Sequence, residues 1–146
     1  MTVRAYPDVG TFRDATGEPG WVAAHTSGRR IHLQPLRGSI EPTLRHELLH
    51  VAIESQARVD LPLWFREGLV LYLEGVARGS GPPPGDAELR RTGDAAAARR
   101  AYEQAGGAVA GLVQRYGRET VLGWVTRGLP ANIKWASRSP ATTNSK

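Results

Sequence analysis

The chain has 146 residues, enough for one hydrophobic core, with 40% hydrophobic and 23% charged residues; the absence of cysteine excludes disulfides and thiolate metal sites. Nineteen Lys and Arg against 14 Asp and Glu leave a net charge of +5. The cations are mostly scattered arginines, and the doublets Arg29-Arg30, Arg90-Arg91 and Arg99-Arg100 have no interleaved aromatics, so no nucleic-acid partner is expected. No apolar run approaches a membrane span and the N-terminus has no apolar signal core. The expectation is no membrane partner and a cytoplasmic chain by default, or a domain excised from a longer secreted protein.

Val3 to Tyr6 reads as a short strand ending at Pro7, and Asp8 is placed to cap a helix running to about Ala15. After a loop at 16–20, Trp21 to Thr26 is strand-like, Ser27-Gly28 signals a two-residue turn, and Arg29 to Gln34 forms the return strand. Alternation points Ile31 and Leu33 at the core and Arg30, His32 and Gln34 away from it. His25 and His32 then share a face and read as surface histidines, since no metal-binding spacing joins them.

Pro42 suits the start of a helix that continues to about Ala57 and carries His46-Glu47-Leu48-Leu49-His50. Positions 46 and 50 lie one helical turn apart on one face, about 6 Å along the axis, so their imidazoles can occupy adjacent corners of a metal tetrahedron. Glu47, about 100° round the helix, is aimed to take a proton from water at the metal and not to ligate it. The run Leu44, Leu48, Leu49, Val51, Ala52 and Ile53 implies a mostly buried helix, where two histidines and a glutamate have little structural reason to sit. Satisfied core histidines are the alternative. A catalytic zinc needs a third protein ligand, and Glu67 is the candidate, with sixteen residues between it and His50 and a chain reversal at Pro62. Gly68 would let the Glu67 helix approach the His46 helix closely.

Trp64-Phe65-Arg66-Glu67-Gly68 completes a HExxH…W-x-x-E-G pair, and with it the chain resembles the gluzincin zinc metallopeptidases in their small, single-domain peptidase MA-like form. The resemblance is strongest over residues 40–76, weaker over 1–39 and 95–127, and absent in the tail. It implies an α+β, zincin-like fold: a short mixed sheet with an edge strand above the active-site helix, then the glutamate helix and C-terminal helices. It implies one Zn²⁺ per chain on His46, His50 and Glu67, with Glu47 as general base. It also implies that the edge strand binds extended peptide, a role that falls to Ile31, His32, Leu33 and Gln34. An oxyanion donor is expected from Tyr102, with Tyr72 as rival, and Glu74 is offered as the carboxylate orienting a ligand histidine.

Arg78 to Gly85 is loop, and Asp94 caps an alanine-rich helix with a kink expected at Gly106-Gly107 and a stop at Gly117; a last helix covers Arg118 to Thr126. Residues 1–128 form the expected peptidase domain, and 129–146 a partly disordered tail that includes Ile133 and Trp135. The functional expectation is a zinc endopeptidase acting on a peptide or protein substrate, as a monomer. The other reading is a weak or latent zinc-binding domain that recognises a peptide through its edge strand; an intact Glu47 favours the enzyme.

Overall fold

The computed structural model describes residues 1–35, 38–90 and 93–133. Arg37, Arg91, Trp135 and the rest of the expected tail from 134 lie outside the described residues. The fold is mixed α and β, in the order β1 (Thr2–Ala5), α1 (Val9–Thr16), β2 (Ala24–Ser27), β3 (Arg30–Leu33), α2 (Glu41–Gln56), α3 (Leu63–Leu73), α4 (Asp86–Leu89), α5 (Ala95–Tyr116) and α6 (Arg118–Arg127).

The strands form a small mixed sheet in the order β1-β3-β2, β3 running parallel to β1 and antiparallel to β2. Asp8 accepts from Thr11 N and starts α1, and Gly17 ends it at φ 73°. Ser27 pairs with Arg30, so the hairpin loop is Gly28-Arg29, with Gly28 supplying the positive φ of the tight turn. The expected substrate strand is corrected here: Ile31 to Leu33 lie in the middle strand, covered on both sides, and Gln34 follows directly after it. Alternation told which face each side chain takes, but only the parallel pairing with β1 decides which strand has a free edge.

Ile31 and Leu33 are buried against Ala24 and, from α2, Leu44 and Val51. The opposite face is also covered. There Tyr6 stacks on His32, Tyr6 meets the buried Phe12 of α1 edge-on, and the Tyr6 hydroxyl shares a hydrogen bond of 2.7 Å with His32 Nδ1. His32 is therefore a buried histidine and not a surface one.

The larger core lies on the other side of α2, where Ile53 joins Trp64, Phe65, Leu69 and Val70 of α3, Ala105 and Val109 of α5, and Val121 and Trp124 of α6. Burying a side chain of this size stabilises by about 1.5–3 kcal/mol, so this layer supports α3 more firmly than any local propensity does. The core continues past position 128 through Leu129 and Ile133.

Helix α2 is less buried than its apolar run implies. Ile53 and Glu47 are its buried residues, and Leu48 is 38% exposed, because α2 touches the sheet and α3 along two narrow stripes. Gly68 also differs from expectation. A Cβ there would collide with Ala105 O and lie 2.7 Å from Ala105 C and Val109 Cγ2, so this glycine brings α3 against α5 and not against α2. Helix α5 runs unbroken through Gly106-Gly107, where a Cβ on Gly107 would lie 2.7 Å from Arg78 O. The close approach of loop 78–80 explains the glycine there. No described helix is long and apolar enough to cross a membrane.

Candidate metal centre

Helices α2 and α3 present His46, His50 and Glu67 to one point: one ligand atom from each lies within 4.8 Å of the others. His46 Nε2 and His50 Nε2 are 3.2 Å apart, and His50 Nε2 is 3.3 Å from Glu67 Oε2. A tetrahedral zinc with bonds near 2.0–2.1 Å requires donor atoms about 3.3–3.4 Å apart. Two imidazole nitrogens and a carboxylate oxygen at this spacing suit a cation held between them, and with no sulfur among them the donor set fits zinc.

Beside these three side chains, Glu74, one residue past the end of α3, places Oε2 3.1 Å from His46 Nδ1. A carboxylate there keeps the proton on Nδ1 and leaves the Nε2 lone pair free for a metal. Burial by itself would lower the pKa of His50, but the hydrogen bond and charge of Glu67, aided by Glu47 and Glu54, outweigh it and hold it above the ordinary value of 6.5. A proton and a metal thus compete for the same nitrogen.

These groups line a cleft of about 780 Å³ formed by α2, α3 and β2, with Tyr102 of α5 and Leu89 of α4 also lining it. Glu47 opens onto this cleft although it is buried, and its Oε2 accepts a hydrogen bond from the Thr26 hydroxyl. The Tyr102 phenol is pushed well above its ordinary value of 10 by burial first, then by the charges of Glu67, Glu18 and Glu47. It therefore stays protonated and is a hydrogen-bond donor throughout the physiological range.

Family models, curated proteins and solved structures gave no match to this chain.

The structure thus brings His46, Glu47, His50, Glu67, Glu74 and Tyr102 to one cleft, while Tyr72 packs against the large core. Ile31, His32, Leu33 and Gln34 do not line it. Gln34 acts indirectly, its Nε2 donating to Val22 O and, at 3.4 Å, to Gly20 O, on either side of Trp21, which with Val22 lines the cleft. Sequence reasoning missed Trp21, Ala24 and Thr26 as cleft residues. The available signal was the alternation of β2, which places Ala24 and Thr26 together on one face, but which strand carried the free edge was needed to use it.

Proposed function

We propose that this chain is a zinc-dependent peptidase with a small zincin-like fold, in which His46, His50 and Glu67 hold the metal and Glu47 is the general base. The observation that carries the reading is the His46–His50–Glu67 spacing of 3.2 and 3.3 Å beside a buried glutamate in an open cleft. When bound, zinc supplies a Lewis acid that polarises the scissile carbonyl and makes water more acidic. Glu47 takes the proton from the attacking water and delivers it to the departing amine, the step for which a positioned carboxylate contributes roughly 10²–10⁴-fold. The protonated Tyr102 donates to the oxyanion that develops on the carbonyl oxygen. Glu74 holds the ring of His46 in its metal-binding tautomer. The substrate is an extended peptide segment, and its binding strand is β2 in place of the segment 31–34, because β2 borders the cleft and has an unpaired side among the described residues.

A latent binding domain could use the same cleft, but it gives no role to a carboxylate buried next to two metal-ligating histidines. Metal analysis and peptide cleavage, run on wild type, Glu67→Ala and Glu47→Gln, test the proposal. Expected are about one zinc per chain in wild type and Glu47→Gln, loss of zinc in Glu67→Ala, and hydrolysis by wild type alone. Undiminished cleavage by Glu47→Gln would sink it.

A further inference from the structure

Among the described residues the side of β2 away from β3 is unpaired, and its hydrogen-bonding register is definite. Gln34 N donates to Ala23 O at 3.1 Å, which makes Ala23 and Gln34 a hydrogen-bonded pair of the antiparallel ladder. Such pairs alternate, so His25–His32 and Ser27–Arg30 are the bonded pairs and Ala24–Leu33 and Thr26–Ile31 are not. The main-chain N–H and C=O of Ala24 and Thr26 therefore point away from β3, toward the unpaired side. Their side chains point at α2: Ala24 joins Leu44 and Val51, and the Thr26 hydroxyl donates to Glu47 Oε2. Among the described residues this hydroxyl is the hydrogen-bond donor that the buried Glu47 carboxylate has.

We propose that Thr26 is a positioning residue that couples substrate register to the base: its main chain pairs with the bound peptide while its hydroxyl holds the carboxylate of Glu47. A threonine suits both tasks. Its branched Cβ restricts χ1, so the hydroxyl is aimed with little loss of rotamer freedom, and it is at home in a strand. Because one residue makes both connections, the peptide unit that pairs with Thr26 is brought to a fixed distance from the base. This inference rests on the peptidase reading of the cleft.

The test uses the full chain loaded with zinc and a quenched-fluorescence library of decapeptides, comparing wild type with Glu47→Gln, Thr26→Val and Thr26→Ser. Valine keeps the shape of threonine and removes the hydroxyl. The Thr26→Val variant is expected to keep its zinc and a KM within about 2-fold of wild type while kcat falls about 10–100-fold, by analogy with the loss of a hydrogen bond that orients a metal ligand. Thr26→Ser, which restores the hydroxyl, is expected to recover kcat to within a few-fold. A merely structural threonine would give a different pattern: zinc lost from Thr26→Val, or Thr26→Ser as impaired as Thr26→Val, and either overturns the proposal. An unchanged kcat in Thr26→Val with an inactive Glu47→Gln overturns the role of Thr26 and leaves the peptidase reading standing. Full activity in Glu47→Gln, or no cleavage by wild type, overturns both.

Discussion

Replacing Gly68 with alanine separates a packing argument from a propensity argument. Alanine in a helix interior is favoured over glycine by about 1 kcal/mol, so propensity alone predicts stabilisation. The structure predicts the reverse, because the added Cβ would lie 2.7 Å from both Ala105 C and Val109 Cγ2. Carbon atoms pack at about 3.5–4.0 Å, so α3 and α5 must separate by roughly 1 Å, and because the clash is with main-chain atoms of Ala105 the overpacking cost lies at the upper end of its usual range, about 2–3 kcal/mol. The difference is a net loss of about 1–2 kcal/mol, and at about 3 °C per kcal/mol the Tm of the metal-free chain falls by about 3–6 °C. The displacement also reaches the site. Glu67 is the neighbouring residue, and ligand distances tolerate only about 0.2 Å, so zinc affinity falls at least about 10-fold. Scanning calorimetry of the metal-free protein and zinc competition against a chromophoric chelator measure the two effects. Gly111→Ala is the control, since its Cβ meets Ser80 Cβ at an ordinary 3.6 Å and gains stability by about 1 kcal/mol. A Gly68→Ala variant as stable as wild type, with unchanged zinc affinity, would refute the packing argument.

Three further outcomes are expected. Glu74→Ala removes the acceptor 3.1 Å from His46 Nδ1 and weakens zinc binding about 10–100-fold without unfolding the chain, as read by the same chelator competition. Tyr102→Phe keeps the zinc and leaves KM little changed but lowers kcat on peptides about 10²–10³-fold; a kcat equal to wild type would remove the phenol from the mechanism. For His32, burial, then the charges of His25, Arg30 and Arg4, hold the pKa below 6.5, so the unfolded chain binds the proton first and stability is lost as pH falls below that value. Melting wild type and His32→Phe from pH 7.5 to 5 should show the acid loss reduced in the variant, and parallel curves would contradict it.

The legible parts of the site were those carried by helical spacing. His46, Glu47 and His50 have relative positions set by the covalent geometry of one helix, and Pro42 and Pro62 bracket the elements that place them. Glu74 was reached by counting turns on from Glu67, and it does meet His46. Asp8 and Asp94 cap their helices through bonds to main-chain groups two or three residues on, a purely local matter.

What lay beyond reach depended on residues distant in the chain. Alternation along 30–34 shows two faces but not that Thr2–Ala5 pairs beside it and makes β3 the middle strand. The same pairing leaves β2 at the edge of the sheet among the described residues, buries His32 under Tyr6, and sets the Thr26 hydroxyl on Glu47 from 21 residues away. The partner of Gly68 proved to be Ala105 and not α2, because a missing Cβ permits a close approach without saying from which side it comes. Local spacing thus determines which side chains can act together on one helix. Which strand edge stays open, and which hydroxyl reaches Glu47, is decided only when distant segments compete for the same buried surface.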